Sequence, residues 1–226
     1  VGNIMKGYQE GGITPESDCG FTYLIGKELG QGAFGVVHKA EAVDLCPITY
    51  DEGAPFAIKF PKDGSKMTLG RMRREISLTD QSGSPHTVEI VDRSLNPEHP
   101  YLVMEYVPET LLGLLIGGRI NQIVIRNCVY QAPDLLGYLQ VKNVTHLDLN
   151  PANLGYGSEA LGQEVDLDDP NDGTLVILDF GLALPASVKH YPHNAPSSEI
   201  PYLPPEFISD GEINLTTDTY SMGKAL

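Results

Sequence analysis

Residues 146–153 read His-Leu-Asp-Leu-Asn-Pro-Ala-Asn, and residues 175–181 read Leu-Val-Ile-Leu-Asp-Phe-Gly. The first stretch places the amide of Asn153 five residues after the carboxylate of Asp148. The second is a short apolar strand that ends at Asp179, and the glycine after Phe lets the backbone turn sharply. Either stretch alone is a weak signal, because an Asp-Phe-Gly turn can simply end a strand. Their order and combination instead predict a site built from three oxygen-bearing side chains.

These residue types suit phosphoryl transfer, whose catalytic and metal-binding loops show the same order of groups. The reaction asks little covalent work of the protein, so catalysis comes from aligning a hydroxyl and cancelling charge on phosphates. Asp148 is expected to orient the acceptor hydroxyl and take its proton. Asn153 and Asp179 are expected to offer oxygen ligands to Mg²⁺, which prefers them.

A glycine-rich segment lies upstream, where residues 30–37 read Gly-Gln-Gly-Ala-Phe-Gly-Val-Val. Its three glycines are Gly30, Gly32 and Gly35. They let backbone N–H groups approach phosphate oxygens. A dinucleotide-binding fold uses the same spelling, but it needs a helix that opens at the third glycine and an acid about 20 residues later. Here Val36 and Val37 continue into strand-like sequence, which favours a hairpin that covers phosphates.

Residues 56–60, Phe-Ala-Ile-Lys-Phe, predict a buried strand that contains one cation. A buried ammonium is costly unless it is paired, so Lys59 should meet an anion. Phosphate oxygens are one such anion, and Glu75 is another. Met72 and Ile76 recur at helical spacing around Glu75, which predicts a helix that points this carboxylate toward Lys59. The alternative is an edge-strand lysine whose amine reaches water.

The chain has 226 residues, of which 41% are hydrophobic and 20% charged, as in ordinary globular proteins. Its formal net charge of −15 is concentrated in residues 143–226, which hold 13 acidic and 2 basic side chains. Such a surface repels nucleic acid and anionic lipid, so neither is an expected partner. A basic protein segment would suit it, although a solvated acidic face is the alternative explanation. No apolar run reaches the length of a membrane helix, about 18 residues, so no span is expected.

Three cysteines, Cys19, Cys46 and Cys128, are odd in number and lack C-x-x-C spacing. They predict reduced thiols in a cytoplasmic setting rather than a disulfide framework or a zinc site. No charged and apolar leader is visible after Val1, so a secretory signal is not expected, although a trimmed start would hide one.

Turn-forming residues divide the chain into three parts. Residues 1–20 are rich in glycine without a sustained apolar period, which predicts a flexible leader. The apolar strand at residues 101–107 runs into Pro108, which cannot continue a central strand, so a hinge is expected there. We therefore expect a first lobe at residues 21–107 and a second at residues 108–226.

Residues 120–139 have a helical period, with apolar side chains that include Leu135 and Leu139. Pro133 lies inside this pattern, and it should kink the helix or end it early.

Together these motifs resemble a eukaryotic-type protein kinase between residues 30 and 206, and on to residue 223. Residues 202–206, Tyr-Leu-Pro-Pro-Glu, resemble the end of an activation segment. Residues 218–223 resemble the start of the helix whose Asp holds the catalytic loop. The resemblance implies an α+β, two-lobed fold with an antiparallel-sheet N-lobe and a mostly helical, truncated C-lobe. It also implies MgATP in the cleft between the lobes and a protein substrate.

The resemblance assigns roles by position. Lys59 and Glu75 would form an ion pair that fixes the lysine for the phosphates, and Asp148 would be the catalytic base. Asn153 and Asp179 would bind Mg²⁺. Nucleotide contacts would come from Gly30, Gly32, Gly35, Val37, Ala57, Lys59, Met104, Glu105 and Val107.

Several positions depart from the family pattern. Leu147 stands where many members have an Arg that answers a phosphorylated activation segment, so activation by phosphorylation is disfavoured. Asn150 stands where Ser/Thr kinases usually have a Lys that assists the transferred phosphate, so its loss should slow transfer. Gly155 lies where an apolar residue often sits under the adenine. Glu199 replaces the usual Thr near the end of the segment, so the acceptor class is not read from that position.

Residues 157–173 make the chain between Asn153 and Asp179 longer than the common pattern. They carry six acidic side chains and no basic one. Calcium could suit so dense a set of hard oxygens, but the spacing lacks the EF-hand order with its late Glu. A solvated hairpin extension is therefore expected.

The favoured interpretation is a protein kinase that transfers the γ-phosphate of MgATP to a protein hydroxyl, of Ser or Thr. The alternative is a nucleotide-binding pseudokinase or interaction module with negligible transfer, which Leu147 and Asn150 favour. A small-molecule phosphotransferase is third, because such enzymes do not ordinarily need the segment at residues 204–206. The helix that begins at Asp218 is cut short at Leu226. We therefore expect a fragment, or a reduced kinase of the kind that some bacterial pathogens deliver to the host cytosol.

Overall fold

The chain divides into two units, the first made of Val1–Asp80 with Val88–Val107 and the second of Gln81–Thr87 with Pro108–Leu226. The structure, a computed structural model, describes residues 8–32, 35–43, 54–62, 65–79, 86–157, 165–191, 200–214 and 216–226. A boundary between the units falls at Val107 and Pro108, the place where the sequence predicts a hinge.

The first unit is a five-stranded antiparallel sheet with one helix. Its strands run in the spatial order β1-β2-β3-β5-β4. The elements are β1 (Tyr23–Gln31), β2 (Gly35–Ala42), β3 (Phe56–Pro61), α1 (Lys66–Thr79), β4 (Ile90–Ser94) and β5 (Tyr101–Glu105). All six residues of β3 are buried, as expected for a central strand covered on both faces.

Alternation along β3 gives the sheet two different faces. Phe56, Ile58 and Phe60 point to one face, where they join an apolar cluster with residues of β1 and β5 that include Tyr23 and Tyr101. We call this the aromatic face. The other face carries the intervening residues of β3, among them the predicted Lys59.

Residues 8–20 differ from the expected flexible leader, because they pack on the aromatic face. The ring of Tyr8 stacks on that of Phe60, with 4.0 Å between the centroids. The Gly11 N–H donates to the carbonyl of Ile25 at 2.8 Å, which attaches the segment to β1. Aromatic burial and these hydrogen bonds offset the conformational entropy that glycine loses on ordering. Residues 1–7 of the expected leader lie outside the described residues.

The second unit combines helices with two small antiparallel sheets, ordered β6-β8-β9 and β10-β7. Its elements are β6 (Glu109–Thr110), α2 (Leu111–Ile116), α3 (Gln122–Val141), β7 (Val144–Thr145), β8 (Leu154–Gly157), β9 (Thr174–Ile177), β10 (Leu184–Pro185), α4 (Pro205–Asp210) and α5 (Thr217–Ala225), with a 3-10 turn at Ile200–Tyr202. None of the described helices has the length and apolar character needed to cross a bilayer.

Helix α3 continues through Pro133, so of the two predicted outcomes, a kink or an early end, the early end is wrong. Asn121 caps its first turn and accepts hydrogen bonds from Ile123 and Val124 N–H, both at 2.9 Å. Proline removes one backbone hydrogen bond, to the carbonyl four residues before it. That carbonyl belongs to Val129, whose side chain is exposed, so the lost bond falls on the solvent side of the helix. Buried Leu135, beyond the proline, continues the apolar stripe and keeps the helix packed.

Part of the acidic extension is attached to α3. The Asn127 amide donates to the carbonyl of Asp172 at 3.2 Å, and the Gln131 amide donates to that of Gly173 at 2.9 Å. The carboxylate of Asp172 accepts backbone N–H groups of the same loop, including that of Asp166 at 2.8 Å. Among the described residues, no group of three His, Cys, Asp or Glu side chains is placed to hold a metal ion. Residues 158–164 of the extension lie outside the described ranges.

We expect Tyr8→Ala to lower the free energy of unfolding by about 3 kcal/mol, because it deletes a buried aromatic ring. Tyr8→Phe should leave stability unchanged or raise it by about 1 kcal/mol, because a buried hydroxyl without a partner is costly. Within the described part of the chain no group bonds that hydroxyl, and burial raises the pKa of Tyr8 to about 12. Urea denaturation followed by circular dichroism measures both changes.

Tyr130→Ala is the matched control, since Tyr130 is exposed on α3 and its loss should change stability by less than about 0.5 kcal/mol. An unfolding midpoint for Tyr8→Ala equal to that of the control would contradict the packing of residues 8–20.

Candidate active site

In the first unit, Lys59 and Glu75 form a buried ion pair. The Lys59 Nζ lies 2.7 Å from Oε1 and 2.9 Å from Oε2 of Glu75, and the two residues are only 6% and 4% exposed. Glu75 is placed by α1, whose buried side chains, including Met72 and Ile76, recur at helical spacing. Because β3 lies between β2 and β5, Lys59 is not an edge-strand lysine. The bidentate contact offsets the desolvation of both charges, which would be costly if either partner were alone.

The strand register aligns several predicted nucleotide contacts on the face that carries Lys59. Val37 lies opposite Gly30 of β1 and also opposite Lys59 of β3. One step along, Ala57 lies opposite Met104 of β5, and both side chains are buried. Directly paired residues point to the same face of a sheet, so these positions form one continuous surface.

The three predicted glycines differ in whether neighbouring atoms leave room for a side chain. A Cβ at Gly35 would lie 2.6 Å from the carbonyl oxygen of Phe60, so only glycine lets β2 approach β3 here. A Cβ at Gly30 or Gly32 would meet no described atom within 4 Å. Packing within the described residues therefore explains Gly35, while Gly30 and Gly32 leave open space over the backbone. Ala33 and Phe34, between them, lie outside the described residues.

Glu105 and Val107 lie at the end of the first unit, and both are half-buried. Burial raises the pKa of Glu105, the nearby charge of Glu89 raises it further, and a hydrogen bond from the backbone of Glu89 lowers it. The backbone N–H of Glu105 donates to the carbonyl of Glu89 at 3.0 Å. This backbone N–H is therefore already hydrogen-bonded within the first unit.

In the second unit, the carboxylate of Asp148 is held by two amides. The Asn150 Nδ2 donates to Oδ1 at 2.7 Å, and the Asn153 Nδ2 donates to Oδ2 at 2.6 Å. The N–H of Ala152 donates to the Asn150 Oδ1 at 2.9 Å, which requires the nitrogen of this amide to face Asp148. Two short contacts, one on each oxygen, therefore restrict rotation of the carboxylate.

The two predicted metal ligands emerge at the same end of a strand pair. Leu154 of β8 lies opposite Ile177 of β9, so Asn153 precedes β8 where Asp179 follows β9. The N–H of Leu178 donates to the carbonyl of Asn153 at 3.0 Å, which fixes the two ends together. Within the described ranges no hydrogen bond reaches the Asn153 Oδ1. That amide oxygen and the Asp179 carboxylate are the hard donors that Mg²⁺ uses together with waters and phosphates.

The buried carboxylate of Asp218 holds the backbone of the loop that carries Asp148. It accepts the backbone N–H of His146 at 2.7 Å and that of Leu147 at 2.9 Å. Burial raises the pKa of Asp218 to about 6, while the two backbone N–H groups act to lower it. Leu147 has a φ of 68°, a left-handed conformation that these contacts hold.

A model of the family described as "Protein kinase domain" matches residues 23–226. The chain belongs to the protein kinase family. The predicted α+β class is confirmed, with an antiparallel sheet and one helix in the first unit and mostly helices in the second.

Several named kinases are similar to this chain. The Aurora/IPL1-related protein kinase 2 of Caenorhabditis elegans is 28% identical over 93% of this chain and 64% of its own length. An Aurora kinase of Eremothecium gossypii is 27% identical over 89% of this chain and 50% of its own length. The human serine/threonine-protein kinase ULK3 is 28% identical over 90% of this chain and 40% of its own length. The chain thus spans between 40% and 64% of the length of these relatives.

The sequence patterns do not predict two contacts of this chain. Asn150 figures there only as a missing lysine, yet its amide bonds the proposed base. A signal was present, because Asn side chains commonly bond groups two residues away. The anchoring of Leu147 in an apolar cluster is the second. Serine and glutamate positions 197–199 of the activation segment lie outside the described residues.

The raised pKa of Asp218 predicts that the stability of this protein depends on pH. The folded protein holds the proton more tightly than the unfolded chain, so the free energy of unfolding should fall as pH rises from about 4 through about 6. The Asn side chain in Asp218→Asn cannot titrate. The free energy of unfolding of this variant should be lower than that of the wild type at pH 4, and it should lack the fall between about pH 4 and 6. Urea denaturation between pH 4 and 7 measures the difference between the two proteins.

Asp134→Asn, on the exposed side of α3, serves as the control and should keep the wild-type pH profile. Parallel pH profiles for wild type and Asp218→Asn would show that burial does not perturb this carboxyl.

Proposed function

We propose that this kinase transfers the γ-phosphate of MgATP to the hydroxyl of a protein substrate, and that the hydroxyl belongs to Ser or Thr. The observation that carries the proposal is the Asp148 carboxylate, held by two amides beside the joined ends of β8 and β9. A module that needed only the shape of the fold would have no physical reason to keep this arrangement. The Ser/Thr assignment is supported by likeness to a relative named as a serine/threonine-protein kinase.

The residues of each unit suit ATP and Mg²⁺. In the first unit, no described atom lies within 4 Å of a Cβ built at Gly30 or Gly32, which would suit phosphate oxygens above the backbone, and Lys59 offers a fixed cation on the same face. In the second, the Asn153 Oδ1 and the Asp179 carboxylate would hold Mg²⁺. Mg²⁺ held by these two residues would supply positive charge against the negative charge that develops on the phosphates.

Asp148 would act on the acceptor hydroxyl. Each carboxylate oxygen has two lone pairs, and the amides of Asn150 and Asn153 use one on each oxygen. The two amides fix the direction in which the carboxylate faces, so Asp148 would accept the hydroxyl proton from a defined direction and align the attacking oxygen. Asn150 supplies orientation without charge, which differs from the lysine usual at this position.

A nucleotide-binding module with negligible transfer is the second candidate, and the neutral Asn150 is the observation that favours it. Phosphoryl transfer gains from cations near the transferred group, and Asn150 adds none. The two candidates differ in transfer but not in nucleotide binding, so one assay that measures both separates them.

We further propose a cytoplasmic protein that acts on a substrate with a basic segment. The thiols of Cys19 and Cys128 are free, and burial raises the pKa of Cys128 to about 12, which keeps that thiol unreactive. Residues 143–226 hold 13 acidic and 2 basic side chains, so a cationic peptide is the electrostatic complement. Cys46 lies outside the described residues.

Purified protein given Mg²⁺ and labelled ATP is expected to phosphorylate itself or a generic protein substrate. Asp179→Ala should reduce transfer at least about 100-fold, because a metal ligand is lost and charge on the phosphates is no longer cancelled. Asp169→Ala, in the exposed acidic loop, is the matched control and should keep wild-type transfer. Incorporated label, measured with time, reads out all three proteins.

Transfer that survives in Asp179→Ala would refute the metal assignment. A thermal shift of the wild type with MgATP, together with no transfer to any protein acceptor, would favour the binding module. Transfer to small molecules alone would instead indicate a small-molecule phosphotransferase.

The Lys59–Glu75 pair allows structural and catalytic roles to be separated. Lys59→Met leaves Glu75 buried without its cation and should cost about 3 kcal/mol of unfolding free energy. The double variant Lys59→Met with Glu75→Met should recover most of that stability, because no charge is then buried. Neither protein should transfer phosphate, since both lack the cation.

Urea denaturation and label transfer measure the two roles in the same samples. Recovery of transfer in the double variant would contradict a catalytic role for Lys59. Equal stability of the single and double variants would contradict the burial of an unpaired Glu75.

A further inference from the structure

Leu147 lies between His146 and the proposed base Asp148, and its side chain is 2% exposed. It belongs to an apolar group that joins the catalytic loop to residues far along the chain. We call this group the Leu147 cluster. It consists of Leu147, Leu184, Leu203, Phe207 and Ile213, with Val188 and Tyr191 packed against it. Every side chain in the cluster is uncharged.

The cluster gathers described residues from both ends of the activation segment, residues 179–206. Leu184, Val188 and Tyr191 come from its first part, after the Asp-Phe-Gly turn. Leu203 comes from its last part, and Phe207 directly follows it. The rings of Tyr191 and Phe207 lie 5.5 Å apart between centroids. Leu147 is thus the member through which the segment touches the catalytic loop.

Backbone hydrogen bonds fix residues 184–191 on both sides of the cluster. At one end, Leu184 pairs with Thr145, directly before the catalytic loop. At the other, the N–H of Tyr191 donates to the carbonyl of Gly211 at 2.8 Å, and the N–H of Ile213 donates to the carbonyl of Lys189 at 2.8 Å. The stretch is therefore attached at two places, with apolar packing between them.

The backbone conformation of Leu147 indicates that a leucine is needed at this position for its side chain. Its φ of 68° is a conformation that glycine or asparagine adopts more easily than leucine. If the backbone bond to Asp218 were the whole role of this residue, glycine would serve better. A leucine in this conformation is explained by the apolar contacts that its side chain makes in the cluster.

We propose that Leu147 is a positioning residue, which couples Asp148 to residues 184–191 through apolar packing and holds them in place without a phosphate on the segment. The inference rests on the proposed function and deepens it, because it names how the same site is kept in order. Apolar contacts do not depend on modification, so the coupling is present in the unmodified chain. The contribution is to orientation of the base, so it acts on turnover more than on nucleotide binding.

The test compares Leu147→Ala with Leu139→Ala. Leu139 is also 2% exposed, lies in α3 of the same unit and is outside the cluster. Both variants remove the same atoms from a buried site, so their losses of thermal stability should be similar. Hydrogen exchange followed by mass spectrometry should show amide exchange at residues 184–191 at least about 10-fold faster in Leu147→Ala, and unchanged in Leu139→Ala.

Steady-state kinetics supply the second measurement. Leu147→Ala should lower kcat about 10-fold or more while the KM for MgATP changes by less than about 2-fold. Leu147→Met, which keeps side-chain volume, should restore both protection and kcat to near wild type. Treatment of the wild type with a phosphatase should leave transfer within about 2-fold of the untreated protein.

Equal protection of residues 184–191 in Leu147→Ala and Leu139→Ala would overturn the inference, as would loss of transfer after phosphatase treatment. If Leu147→Ala does not fold, the milder Ile213→Val trims the opposite side of the cluster and should accelerate exchange at residues 184–191 about 2-fold to 5-fold. No acceleration in that variant also overturns it. A wild type that transfers no phosphate refutes the proposed function, while the exchange measurements still decide the coupling.

Discussion

The buried carboxylate of Asp218 is the contact on which the candidate site of the second unit depends. It accepts two adjacent backbone N–H groups, of His146 and Leu147, that would otherwise be buried without an acceptor. A buried donor without a partner costs about 1–3 kcal/mol, and Asp218 removes that cost for both N–H groups. Desolvation of the carboxylate is still the larger influence on its pKa, which is raised. Asp148 is the next residue in the chain. The place of the proposed base is therefore set by a side chain 71 positions away from Leu147.

Two neutral residues surround the proposed base at positions where members of the family often have cations. Asn150 orients Asp148 through an amide at 2.7 Å, and Leu147 contacts the activation segment through an apolar side chain. Both residues position their neighbours without adding charge. In the proposed reaction, charge neutralisation near the base would then depend on Mg²⁺, which Asn153 and Asp179 would hold.

Much of the fold follows from local pattern. A short apolar run with one cation identified the strand of Lys59, and helical spacing identified the helix that carries Glu75; the structure joins these two side chains. The errors arose where tertiary contacts outweigh local preference. Glycines suggested a leader, but the ring of Tyr8 finds a stacking partner that is distant in the chain.

The same reason explains the other differences. Proline tends to end an isolated helix, yet the buried residues after Pro133 keep α3 packed. The contacts of Asn150 are local and could have been anticipated from its spacing to Asp148. Those of Leu147 could not, because the apolar cluster assembles residues from 147 to 213 that no short window of sequence brings together.

The covering of the aromatic face by residues 8–20 has a practical consequence for how this domain is delimited. Similarity to the family begins at residue 23, whereas the ring that stacks on Phe60 belongs to residue 8. A version trimmed to the region of similarity would present an uncovered sheet surface rich in tyrosine and phenylalanine to solvent. Exposed apolar patches of this kind associate with one another, so such a shortened protein would tend to self-associate during purification, for reasons unrelated to any catalytic activity.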